Sequence, residues 1–229
     1  MTANKPKILF VLSSHENGWY LPEFAHPYQV LAPHVDMTIA SPLGTSTVDP
    51  ISVERFKDDA YCQEFYRTKE HIWKSTEKLA SFISRAKDFD VIFVVGGFGP
   101  MYDLATDKTT IQLIREFHDA DRIIVALCHG VAALVNVYLA DGTPLLSGKR
   151  VTGFSDEEED QAYANKIAPP NMPFHLQQAL DKASGGKYEK ADQAWASHVI
   201  PSPKLLLGQN PASAHDLGIA LLEVLSKSE

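Results

Sequence analysis

The chain has 229 residues, 45% of them apolar, which is enough for a substantial core and too many for a disordered polypeptide. Its formal charge is −8 and no Lys/Arg cluster occurs, so the sequence makes no electrostatic case for nucleic acid or an anionic membrane. Small neutral or weakly charged substrates remain.

The start, Met1 to Lys7, is polar and lacks a secretory signal, and the following "ILFVLS" is far shorter than the ~20 residues of a membrane span. The tail "LSKSE" is no recognised address, and a cytoplasmic location is expected. The first strand is expected over residues 7–13. After it, "SSHENGWYLPEFAHPY" is long, polar and rich in aromatics, and reads as a loop. Further strands are expected at 35–40, 90–95, 122–127, 150–153, 198–200 and 205–208, with helical patterns between them, which is the signature of a mostly parallel sheet. The segment of about 53–87 exceeds what one crossover needs and is expected to be an added helical excursion. A second polar stretch, "FSDEEEDQAYANKIAPPNMPF", follows Gly153. A closing helix begins with Pro211 in its first turn. In an open α/β sheet, loops leaving the carboxyl ends of strands line the ligand crevice, so the two polar stretches are where chemistry is expected.

The segment "IIVALCHGVAAL" ends a strand on Cys128 and His129 and runs directly into a helix expected near Val131. Such a turn strains its central residue and requires small neighbours, here Ala126 and Gly130. The pattern has the mechanics of a nucleophile elbow. A thiol at a helix N-terminus faces free N–H groups and the positive end of the dipole, so Cys128 is expected to ionise at a pKa of about 3.5–7.5 against about 8.5 when free. The other cysteine, Cys62 in "DDAYCQEFY", is expected mid-helix with no histidine beside it, as a structural thiol. No disulfide is expected between the two. Nine histidines are scattered without metal-ligand spacing, so no zinc site is expected. His26 and His198 are noted as residues that could lie near a pocket.

The segments "GWYLPEFAHPYQVL", "IASPLG", "VVGGFGPMYDL", "ALCHGVAAL", "GKRVTGFSDEEE" and "LLLGQNPASA" resemble the PfpI superfamily, class I glutamine amidotransferase-like proteins that include the parkinsonism-associated deglycase. Within it the chain is similar to the glutathione-independent glyoxalase, or glyoxalase III, branch. The resemblance runs from about Lys7 to Leu225. It implies one α/β domain over 1–229, a flavodoxin-like three-layer αβα sandwich. It also implies a homodimer, a stress response and holdase chaperone activity. Carried over by position, the nucleophile falls on Cys128, its imidazole partner on His129, the carboxylate that orients this imidazole on Glu159, and a carboxylate beside the thiol on Glu23. Asp156 and Glu158 remain alternatives to Glu159 within the acidic run. Backbone amides near Gly96 and Gly97, with that of His129, would form an oxyanion pocket. Phe98 stands where many relatives have histidine and, with Trp19 and Tyr20, is expected to wall the site.

The chemistry this implies is a lyase (hydro-lyase) reaction on methylglyoxal or a similar 2-oxoaldehyde. A thiolate adds to the aldehyde, a base (His129 or Glu23) moves a proton from C1 to C2, and water cleaves a thioester to a 2-hydroxy acid such as D-lactate. It needs no metal or redox cofactor. The alternatives are a deglycase, amidase or isonitrile hydratase on the same cysteine, or a holdase and redox sensor.

Overall fold

The structure, a computed structural model, describes residues 5–227; the first four residues of the polar start and the last two of the tail lie outside them. The chain begins with β1 (Lys7–Val11), α1 (Leu21–Leu31) and β2 (Asp36–Ser41). An excursion follows, built from α2 (Pro50–Arg55), α3 (Ala60–Thr68), α4 (Glu70–Trp73) and the short β3 (Glu77–Lys78). Then come β4 (Val91–Val94), α5 (Gly99–Tyr102), α6 (Lys108–Asp119), β5 (Ile123–Leu127) and α7 (Ala132–Val135). The last part holds α8 (Asp156–Ala164), α9 (Leu176–Ser184), β6 (Val199–Ile200), β7 (Leu205–Gly208) and α10 (Ala214–Ser226).

The seven strands form one sheet in the order β3-β2-β1-β4-β5-β7-β6, parallel throughout except for β6 against β7. Without the two short edge strands this is the flavodoxin-like order, with helices on both sides. The near-continuous apolar runs of the sequence are thereby explained. Strands β4, β5 and β7 are buried at every position, and β1 at all but Lys7. Order reverses between β1 and β4, because the chain steps outward to β2 and β3 and then returns to the other side of β1. A crevice therefore opens beyond the carboxyl ends of β1, β4 and β5, where Glu23, Gly96 and Cys128 follow their strands.

Several expectations change here. The stretch after β1 is only partly loop: helix α1 starts at Leu21, with Pro22 in the first turn, where no N–H is needed. Pro27 lies within α1, so the carbonyl of Glu23 receives no amide from it. The excursion is helical only in its first half, because residues after Trp73 form the edge strand β3 and short 3₁₀ turns. The strand expected at 150–153 reduces to a single bridge between Val151 and Tyr188, since the Gly153 carbonyl is taken by the Tyr188 hydroxyl at 2.8 Å. The helix after Cys128 is also shorter than expected: a 3₁₀ turn over Cys128–Val131 and then the four residues of α7.

Among the described residues no helix is long and apolar enough to cross a membrane.

Candidate active site

Strand β5 delivers Cys128 into a sharp turn at φ +56°, a left-handed conformation costly for a residue with a Cβ. This is the strained elbow that the small-Cys-small pattern implied. Gly130 makes it possible, since a Cβ there would sit 2.8 Å from the Val94 carbonyl oxygen. The sulfur is buried, with the residue 3% exposed, and lies 3.4 Å from Nδ1 of His129. Nε2 of the same ring lies 2.7 Å from Oε2 of Glu159. With Glu159 ionised, Nε2 must carry the proton and donate to it, leaving the Nδ1 lone pair directed at the thiol. The ring is held in place between Phe98 and Phe154, with centroids at 4.9 and 4.5 Å.

Helix α8 decides which acidic residue faces the imidazole. Ser155 caps it with a capping box to Glu158. The Glu158 carboxylate is fully buried and accepts from the Ser155 amide and hydroxyl, the Trp195 amide and the Asn210 side chain, all at 2.7–2.9 Å. Its capacity is spent on anchoring the helix. Glu159, about 100° further round, is thereby turned toward His129. Asp156 faces outward beside His175 and Gln178.

Glu23 is fully buried on α1, and its carboxyl meets Cys128. Burial pushes this carboxyl well above the usual range and favours its protonated form, with the thiol sulfur as its polar neighbour. The close fit depends on Gly96, where a Cβ would lie 2.0 Å from Glu23 Oε2 and 2.8 Å from the Cys128 Cβ. Gly96→Ala is therefore expected to displace the carboxyl, lower stability by about 1–3 kcal/mol and abolish site chemistry; urea denaturation and a turnover assay check both.

The expected low thiol pKa is corrected. Burial pushes the Cys128 thiol well above its ordinary value, and any charge on Glu23 pushes it further, while the amide of His129 favours ionisation only weakly. A single short turn after the cysteine supplies little dipole. At rest Cys128 is therefore a neutral thiol.

These groups floor a cavity of about 10 Å³, the room of roughly one water. Tyr20, Gly97, Phe98, Phe154 and Trp195 are among its walls. Phe98 and Ile167 also line an adjoining vestibule of about 590 Å³, so these two side chains form the neck between the spaces. Asp49 lies on the vestibule wall, with burial pushing its carboxyl up to about 6.

Three expected placements change. Trp19 does not wall the cavity: it is fully buried, edge-on to Phe24 and Trp73. Gly96 does not line it either and serves as clearance behind the carboxyl, whereas Gly97, at φ +112°, does reach it. His26 and His198 lie away from the lining. Phe154, Ile167, Trp195 and Pro211 were not singled out from the sequence as site residues. They come from segments distant in sequence, and Trp195 holds a left-handed φ of +66° that no local pattern announces.

A family model described as DJ-1/PfpI family matches residues 7–168. Glyoxalase 3 of Candida albicans is 25% identical over 222 residues, covering 91% of this chain and 93% of that protein. The protein/nucleic acid deglycase HchA of Staphylococcus aureus is 27% identical over 224 residues, 92% of this chain and 75% of that one. Among solved structures, the 24 kDa rapid encystment protein of Francisella tularensis superimposes with a TM-score of 0.85 at 31% identity, covering 96% of this chain and 99% of that chain.

Proposed function

Because the chain belongs to the DJ-1/PfpI family, we propose that it is a glyoxalase that converts a small 2-oxoaldehyde such as methylglyoxal into the 2-hydroxy acid without glutathione. The observation that carries this reading is the pair formed by a buried thiol and a buried protonated carboxyl, backed by the Cys128–His129–Glu159 chain. Supporting it is the likeness to a protein named glyoxalase 3 along nearly the whole chain. Cys128 supplies the thiol that glutathione otherwise would.

The steps follow from the resting protonation states. The Cys128 proton passes to His129 Nδ1 as sulfur bonds to the aldehyde carbon, with the amides of Gly97 and His129 near the developing oxyanion. Glu23 gives its proton to that oxygen, completing a hemithioacetal and leaving a carboxylate beside C1. The carboxylate removes the C1 proton, electrons shift onto the C2 oxygen, and the imidazolium protonates that oxygen to give an enediol. Glu23 then protonates C2 and takes the hydroxyl proton from C1, which leaves a thioester. His129 draws a proton from water, hydroxide attacks the thioester, and the departing sulfur recovers the proton. The sum is aldehyde plus water to 2-hydroxy acid, with no change in the enzyme.

The likeness to a protein named deglycase raises a second reading, in which the 2-oxoaldehyde is released from a glycated side chain at the same thiol. The small cavity, about 10 Å³, favours the free aldehyde. A panel of 2-oxoaldehydes, glycated peptides, amides and isonitriles, with product identification, tests the choice; a preference for glycated peptides would overturn the glyoxalase reading. Phe98→Ala, which widens the neck, is expected to raise kcat/KM for phenylglyoxal relative to methylglyoxal at least about 10-fold. Steady-state kinetics on the two aldehydes check this, and an unchanged ratio would show that Phe98 does not select substrate size.

A further inference from the structure

A second group of reactive side chains lies outside the cavity, where α1 meets the excursion. His26 Nε2 is 2.9 Å from Asp59 Oδ2 and 3.5 Å from Cys62 Sγ, and the three donor atoms lie within 4.8 Å of one another. Cys62 is not mid-helix and away from histidine, as the sequence suggested. It sits in the first turn of α3, its amide held at 2.9 Å by the capping carboxylate of Asp59. Asp59 is thus fixed by one oxygen and free to present the other.

Both contacts use the same imidazole nitrogen. A relay of the kind formed by Cys128, His129 and Glu159 needs the thiol and the carboxylate on opposite ring nitrogens. Here sulfur, nitrogen and oxygen converge on one point instead, which is the arrangement a cation requires. Taking zinc–sulfur and zinc–nitrogen bonds of about 2.3 and 2.0 Å, the sulfur–nitrogen edge of a tetrahedron is about 3.5 Å and the nitrogen–oxygen edge about 3.3 Å. The first matches the observed separation, and the second requires Asp59 to open by about 0.4 Å. Cys62 is fully buried, while the side chains of His26 and Asp59 are 21% and 29% exposed, so the point of convergence has a solvent side for entry and a fourth, water ligand.

We propose that His26, Asp59 and Cys62 form a binding site for a zinc-like divalent cation, with three protein ligands and one open position. One thiolate, one imidazole and one carboxylate suit zinc better than magnesium or calcium, which take oxygen donors. On binding, the Cys62 thiol proton leaves to solvent. The ion would tie α3 to α1 one turn beyond Glu23, stiffening the helix that aims the proton-carrying carboxyl. Sequence spacing does not reveal the site, because its ligands come from helices more than thirty positions apart.

Cobalt(II) provides the test, with Cys128→Ala as the background so that the other thiol cannot bind it. The expected result is a thiolate-to-cobalt charge-transfer band that saturates at one equivalent, is displaced by zinc, and disappears when Cys62→Ser or His26→Gln is added. Zinc at about 100-fold over its Kd is expected to raise the Tm of the background protein by about 5–10 °C and to leave the Asp59→Asn version unmoved. Absence of the band from the folded background protein, or its persistence after both Cys62→Ser and His26→Gln, would overturn the proposal. Neither readout depends on turnover, so the site and the glyoxalase reading fail separately.

Discussion

Cys128→Ala is expected to lower turnover of methylglyoxal by at least about 10⁴-fold while leaving the fold intact. The loss is large because no other group in the cavity can form the carbon–sulfur bond; the described residues offer one other cysteine, Cys62, which packs against His26 and does not line the cavity. The fold should survive because alanine meets the same positive-φ strain as cysteine and removes only one sulfur. Circular dichroism and Tm close to those of the parent, together with lactate formation at the blank rate, are the expected pair of readings. Suppression of the aggregation of a heated client by this variant would show that any holdase activity is independent of the thiol. Retention of more than a tenth of the turnover would mean that the carbon–sulfur bond is not on the reaction path.

Glu23→Gln is expected to reduce kcat by about 10²–10⁴-fold, since glutamine keeps the shape but cannot relay a proton. Its effect on stability has a definite sign with pH. In the unfolded chain this carboxyl ionises above about pH 4.3, whereas burial keeps it protonated in the folded state. The folded state then binds more protons, so the parent loses stability as pH rises from that point toward the folded-state pKa. Below it, both states are protonated and the difference is absent. The variant has no such group, so its stability relative to the parent should grow as pH rises, by at most about 1.4 kcal/mol per pH unit, until the folded-state pKa is passed. Urea denaturation over a series of pH values measures it. A constant difference would show that the carboxyl is ionised in the folded protein and is not the resting proton donor.

The sheet and the elbow were legible in the sequence because both are written locally. Apolar runs such as Ile123–Leu127 specify a strand buried on both faces, and Ala126 and Gly130 leave room for the strained Cys128 between them. Glu23 and Glu159 were reached only through family likeness, because nothing local distinguishes Glu159 from its acidic neighbours. The structure separates them through Ser155, whose capping box engages Glu158 and so sets the phase of α8. The protonation state of Cys128 was misjudged because a helix-terminus argument is local, while burial and the facing Glu23 are tertiary. For the same reason Trp19 was taken for a wall: an aromatic beside a loop gives no sign of how deeply it packs. The neck formed by Phe98 and Ile167 joins a turn after β4 to a loop after α8, a contact that no periodicity encodes.

Carbon-13 NMR of labelled methylglyoxal incubated with the protein in glutathione-free buffer tests the central claim most directly. The account predicts labelled lactate of a single enantiomer from the parent protein and none above the blank from Cys128→Ala. Lactate formed equally well by both, or by neither, would contradict it.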